Sequence, residues 1–266
     1  MIGLPNLGNT CFINSCIQAI LSSSGILNEI RTRDVAGDID KRVQRVVFSE
    51  RGLPIQSEEI CCLLMNIYDR DNPGYEIGEN QDCSEFLTYY FNYLKTTDQK
   101  ITIETTMRNS KETSVTECTE DILFLPIPKK NGTITFYDCF DEYKSTTFEA
   151  ENGETGTVDY KIKHTGKQIF IGLKRFSGVL YRGRYISRKI YTPVEMDEEI
   201  TIPVGDENKN YTLKSIILHI GELAGGHYIT YRKMNNVWFY ADDMNIGELK
   251  KGKFNMGYIY VYECMD

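Results

Sequence analysis

The hydrophobic period changes once along the chain, and that change limits the fold more than any other feature. Before it, apolar residues recur at helical spacing. Ile13, Cys16, Ile17, Ile20 and Leu21 form a stripe behind Thr10, ended by Ser22-Ser23-Ser24-Gly25. Ile60, Leu63, Leu64 and Ile67 form a second behind Ser57, and Phe86, Leu87, Tyr90, Phe91 and Leu94 a third, entered through Asn80-Gln81-Asp82. After it, β-branched and aromatic residues alternate. Strands are predicted over 101–106, 122–127, 133–138, 157–163, 167–176, 211–219, 227–233, 237–242 and 257–263. Helices first and strands afterwards predict an α+β architecture.

Composition narrows the function classes. A formal charge of -8 argues against a nucleic-acid partner and mildly favours basic ones. No apolar run reaches the roughly 20 residues of a membrane span, and no secretory signal is visible at the N-terminus. The 8 cysteines are scattered irregularly, and Cys61 and Cys62 are adjacent, unlike a secreted disulfide framework. A reducing compartment, cytoplasmic or nuclear, is expected. There is no C-x-x-C pair and only 3 histidines, so no metal or cofactor site is predicted.

One cysteine stands apart. In "GLPNLGNTCFINSCIQAIL" (residues 3–21), Cys11 opens the first helix behind Gly8, Asn9 and Thr10. A sulfur in the first turn lies beside unpaired N–H groups and the positive end of the helix dipole, a location that lowers a thiol pKa. The Cys11 N–H and the folded-back Asn6 amide can serve a developing oxyanion. Cys16 and Cys62, inside apolar helical patterns, read as core. A thiolate also needs a base. His164 sits in a polar stretch and reads as exposed, and His219 ends the apolar run "LKSIILHI". His227 follows Gly225-Gly226 and opens "HYITYRK", with Asp242 and Asp243 downstream to hold its imidazole. Cys, His and acid in that chain order suit nucleophilic acyl transfer in the papain manner.

The two acids are separable by register. Asn235-Asn236 tolerates the positive φ of a tight turn. A two-residue loop there pairs Met234 with Val237 and Arg232 with Phe239, and brings Ile229 opposite Asp242. His227 and Asp242 then share a face, whereas a three-residue loop would favour Asp243.

These motifs resemble the ubiquitin-specific proteases. "GLPNLGNTCFINSCIQAIL" resembles their Cys box and "GGHYITYRKMNNVWFYADDMNI" their His box. "NQDCSEFLTYYFNYL", "IFIGLKRF", "IYTPVEM" and "YIYVYE" resemble the segments between and after, in order from residue 3 to 263. The resemblance implies a papain-like catalytic domain filling residues 1–266: a helical thumb to about residue 100, reduced fingers over about 101–165, and a β palm beyond. With the Cys box at residue 3, no accessory domain is expected ahead of it. It further implies Cys11 as nucleophile, His227 as base, Asp242 as its orienting acid and Asn6 as oxyanion donor. Asp82 would meet the basic tail of ubiquitin, and Gly226 and Tyr228 would line the channel for its terminal Gly-Gly. The implied reaction is hydrolysis of the bond after that glycine through a thioester, with ubiquitin or its conjugates as partner and room for a regulatory protein.

Three departures stand out: the fingers keep only Cys118 and Cys139, without C-x-x-C partners, and are short; Ala241 replaces a Phe; Asn80 and Cys83 replace Gln and Ala. None removes a catalytic group. Two other readings are a ubiquitin-binding module on a dead protease fold and a transglutaminase-like acyl transferase. The intact quartet Cys11, Asn6, His227 and Asp242 opposes the first, and the tail-recognition motifs oppose the second. A protease for another Gly-Gly-ending modifier fits the same residues.

Overall fold

In a computed structural model of the chain, the described residues are 1, 3–32, 57–72, 74–76, 78–149, 153–181, 184–222 and 225–265. They fall into two compact units. The first comprises Met1–Thr97, Lys214–Gly252 and Ile259–Val261; the second comprises Asp98–Leu213, Lys253–Tyr258 and Tyr262–Asp266.

The first unit opens with the predicted stripes as helices: α1 (Cys11–Ile20), α3 (Ser57–Asp71) and α4 (Cys83–Leu94). A short α2 (Ser24–Thr32) follows α1 directly and has no counterpart in the expectation. All ten residues of α1 are buried, Asn14, Ser15 and Gln18 included, so this helix is core on every side. The five predicted apolar residues of α4 are likewise buried, each removal from water contributing about 1.5–3 kcal/mol. Leu64 and Ile67 of α3 are buried, whereas the side chains of Ile60 and Leu63 lie outside the described ones. Phe12 joins α1 to α3 and α4 through edge-on and tilted ring contacts with Tyr68, Tyr75 and Phe86.

The second unit holds β1 (Ile101–Asn109), β2 (Thr113–Glu120), β3 (Leu123–Leu125), β4 (Ile134–Thr135), α5 (Phe136–Lys144), β5 (Ser145–Glu149), β6 (Thr155–Thr165) and β7 (Gln168–Leu173). The hairpin β8 (Phe176–Tyr181) and β9 (Arg184–Lys189), the short β10 (Val194–Glu195) and β11 (Glu199–Val204) follow. Here one expectation fails: 133–138 is mainly not strand but the start of α5. Thr135 accepts the Asp138 N–H while the Asp138 carboxylate accepts the Thr135 N–H, a reciprocal cap that starts a helix. β2, β1, β6 and β5 form a four-stranded antiparallel sheet.

β12 (Glu207–Glu222) pairs with β11 through residues before Leu213 and with β13 (Gly225–Met234) from Ser215 onward. β14 (Val237–Asp242), β15 (Asn245–Glu248) and β16 (Gly257–Cys264) complete the chain. β13 and β14 pair Met234 with Val237, Arg232 with Phe239 and Thr230 with Ala241, the register that a two-residue loop dictates. Asn235 and Asn236 take φ of 48° and 62°, as that turn requires.

Candidate active site

Every candidate site residue lies in the first unit. Cys11 begins α1 and is 3% exposed. Gly8, at φ 97°, and Asn9, at φ 56°, turn the chain sharply into the helix. Neither Asn9 nor Thr10 caps α1 with its side chain. Thr10 Oγ1 instead accepts the Leu7 N–H, and Asn9 Nδ2 donates to the Gly78 carbonyl.

Asn6 is fixed at both ends. Its Oδ1 accepts the N–H groups of Gly8 (3.2 Å) and Thr10 (3.1 Å), and its Nδ2 donates to Asp243 Oδ2 (2.9 Å). The amide therefore cannot be turned around, and the second Nδ2 hydrogen is available to an oxyanion. Asn14, one turn after Cys11, donates to Asp243 Oδ1 (2.7 Å) and to the carbonyls of Leu4 and Pro5. Sequence reasoning missed Asn14; its signal is an amide side chain one helical turn after the candidate nucleophile. Gly3 is needed because a Cβ there would stand 2.6 Å from the Met244 carbonyl oxygen. The neighbouring Leu4 N–H donates to the Asp243 carbonyl.

β13 crosses beside α1. Thr230 Oγ1 donates to the Ser15 carbonyl and an Arg232 N–H to the Leu21 carbonyl, so helix and strand are tied by buried bonds. His227 Nε2 lies 2.6 Å from Asp242 Oδ1 and 4.0 Å from Asp243 Oδ2. With Nε2 donating to Asp242, Nδ1 is the nitrogen able to take a proton. Asp242 ends β14, and Asp243, at φ 51°, turns the chain toward β15.

The resting thiol differs from expectation. Burial pushes the Cys11 pKa up and outweighs the N–H groups of Tyr228, Phe12 and Cys11, which pull it down; the Asp243 carboxylate adds to the rise. The helix start favours the thiolate, as expected, but does not decide the balance.

The three residues implied in tail recognition have structural partners of their own. Asp82 is the N-cap of α4, its Oδ1 accepting the Ser84 N–H at 2.7 Å. A Cβ on Gly226 would lie 2.0 Å from His219 Nε2 and 2.9 Å from the Ile220 carbonyl oxygen, so a side chain there would displace that imidazole. The His219 ring packs on Tyr228 with centroids 4.7 Å apart, and the Tyr228 side chain is buried. His219 thus supports the strand that carries His227. Cys118 is exposed on β2 and Cys139 is buried in α5. Among the described residues neither joins a cluster of metal ligands; the one such group is His227, Asp242 and Asp243.

Comparison with known proteins identifies the fold and the family. Ubiquitin carboxyl-terminal hydrolase 4 of Saccharomyces cerevisiae (strain RM11-1a) is 21% identical over 348 aligned positions, covering 94% of this chain and 37% of that protein. Ubiquitin carboxyl-terminal hydrolase 4 of Arabidopsis thaliana is 22% identical over 344 positions, covering 99% of this chain and 93% of that protein. The chain thus spans little more than a third of the yeast relative. Its fold matches a chain of the SAGA Ubp8/Sgf11/Sus1/Sgf73 DUB module bound to ubiquitin aldehyde, with a TM-score of 0.81 at 17% identity over 100% of this chain and 70% of that one. The architecture is therefore α+β and papain-like. The profile of the family described as ubiquitin carboxyl-terminal hydrolase matches residues 2–262, and with nearly the whole length matched the chain belongs to that family.

Proposed function

We propose that the chain is a thiol-dependent deubiquitinase that hydrolyses the isopeptide or peptide bond after the C-terminal glycine of ubiquitin. The observation that carries this reading is the 2.6 Å bond between His227 Nε2 and Asp242 Oδ1, on a strand tied to the helix that Cys11 opens. His227 Nδ1 takes the Cys11 proton as the sulfur attacks the glycine carbonyl. The developing oxyanion meets the Cys11 N–H and the second hydrogen of Asn6 Nδ2. The tetrahedral intermediate collapses as the imidazolium gives its proton to the departing lysine amine. Water, activated by the same imidazole, then opens the thioester. Asp82 serves the basic tail, and Gly226 and Tyr228 the terminal Gly-Gly. Thumb, reduced fingers and palm divide one catalytic domain at about residues 100 and 165. The relatives' names support ubiquitin as the substrate, and the multiprotein module supports a regulatory partner. Cysteines scattered along the sequence without the spacing of a disulfide framework fit the cytoplasm or nucleus.

The test is reaction with ubiquitin bearing a C-terminal electrophile, followed by mass mapping of the adduct. Labelling of Cys11, lost in Cys11→Ala while ubiquitin binding persists, supports the assignment. Equal labelling in Cys11→Ala, or reaction only with a different Gly-Gly-ending modifier, overturns it.

A further inference from the structure

We propose that His227, Asp242 and Asp243 also form a binding site for a divalent transition-metal ion such as zinc, and that its occupation switches the thiol chemistry off. One ligating atom from each of the three side chains lies within 4.8 Å of the other two. His227 Nε2 is 2.6 Å from Asp242 Oδ1 and 4.0 Å from Asp243 Oδ2. Ligands about 2.1 Å from a tetrahedral ion lie about 3.4 Å from one another. Opening the first gap and closing the second, each by less than about 1 Å, and drawing the two carboxylate oxygens together from at most 4.8 Å, seats the ion.

The charge favours a cation. Two carboxylates face one imidazole, and no Lys or Arg among the described residues pairs with either of them. Asn14 and Asn6 donate to the two Asp243 oxygens, at 2.7 and 2.9 Å. Such outer hydrogen bonds orient a ligating carboxylate and strengthen its grip.

The consequence follows from the tautomer. A neutral imidazole carries one ring hydrogen, and a metal on Nε2 leaves that hydrogen on Nδ1. On the mechanism proposed above, Nδ1 must accept the Cys11 proton, so the ion removes the base without touching the sulfur. The ion is an inhibitor rather than a cofactor. Inhibition rests on that mechanism; binding does not.

Zinc is titrated into the Cys11→Ala chain against a chromophoric chelator, and cobalt(II) into the unmodified chain. Cys11→Ala should keep the site. His227→Ala, His227→Gln and Asp243→Ala in that background should each weaken zinc by at least about tenfold. Cobalt should show the visible bands of a nitrogen- and oxygen-ligated ion without a thiolate charge-transfer band. Loss of zinc with Cys11, a thiolate band, or zinc held equally well without His227 would each overturn the proposal. These readouts do not involve hydrolysis. A chain that binds zinc through His227 yet never cleaves ubiquitin would refute the reaction and leave the metal site standing.

Discussion

Replacing the two adjacent acids one at a time tests the proposed division between an acid that orients the base and one that supports it. Asp242→Ala removes the 2.6 Å partner of His227 Nε2. A hydrogen bond to a charged group contributes about 1.5–3 kcal/mol, so the imidazolium loses about 10–150-fold from this bond alone. The ring also becomes free to rotate and to carry its hydrogen on Nδ1, which lifts the expected loss in kcat to at least about 100-fold. Asp243 stands 4.0 Å from the same nitrogen and acts on Asn6 instead. In Asp243→Ala, Asn6 keeps both bonds to its Oδ1 and loses one tether of three. Removing the Asp243 charge also relieves part of the rise in the Cys11 pKa, which offsets some of that loss. The expected cost is about tenfold, the lower end of the range for one hydrogen bond to a charged group. Hydrolysis of a ubiquitin–coumarin conjugate gives kcat and KM, and thermal melting shows that both variants fold. If Asp243 acts through Asn6, Asp243→Ala adds little in an Asn6→Ala background. A reversed ranking in two folded variants refutes the register argument and the triad built on it.

Four further outcomes are expected. Asn6→Ala should lower kcat by about 10²–10³ with KM little changed; a loss confined to KM would make it a binding residue. Burial raises the Cys11 pKa, so with the base removed the thiolate fraction is small at neutral pH and grows only as pH climbs. In His227→Ala, alkylation of Cys11 by iodoacetamide should therefore inflect above the ordinary thiol value of about 8.5, and an inflection below it would contradict the burial argument. Asp82→Ala should cost about 1 kcal/mol of stability through the lost cap of α4. Asp82→Asn keeps a capping oxygen and should raise KM for ubiquitin without lowering the melting temperature, unless the charge plays no part in tail binding. Gly226→Ala should disturb the His219–Tyr228 contact and lower kcat/KM, with partial recovery in the Gly226→Ala, His219→Ala double variant; no recovery would mean that the clash with His219 is not the cause.

Legibility followed the physics of each element. The hairpin carrying His227 and Asp242 could be read to the residue because Asn235-Asn236 sets the loop length, loop length sets register, and register sets which acid shares the His227 face. Helix α4 could be read because a capping Asp precedes a clean apolar stripe. Strand β2 could not, since all eight of its residues are exposed and its pairing with β1 is a matter of backbone alone. Hydrophobic alternation has nothing to report there, and the mostly exposed β5 fails in the same way. The strand predicted over 133–138 shows the reverse error. Apolar alternation suggested β, while Thr135 and Asp138 already spelled a reciprocal helix cap. Asn14 escaped notice because its role depends on a turn 229 residues away in sequence.

The ionisation of Cys11 is where local reasoning had the cause right and the sign wrong. A helix dipole contributes at most about 2 kcal/mol to a charge at its end, or about 1.5 pKa units. Full desolvation of a charge can oppose it by several units. Which one wins depends on how deeply the sulfur is buried, and that is decided by β13 lying beside α1, a packing event between residues more than 200 positions apart, as in the Thr230 Oγ1 bond to the Ser15 carbonyl, with a sequence separation of 215. The same packing that buries the thiol brings the Tyr228 N–H to it, so the strand that penalises the thiolate also supplies a donor for it. A raised pKa favours the thiol over the thiolate, and on the proposed mechanism the sulfur gives its proton to His227 as it attacks. Reactivity is then controlled, on the proposed mechanism, at His227 rather than at Cys11. On that mechanism the bond from His227 to Asp242 bears on the first chemical step, and anything that occupies His227 Nε2 would reach the sulfur through the ring.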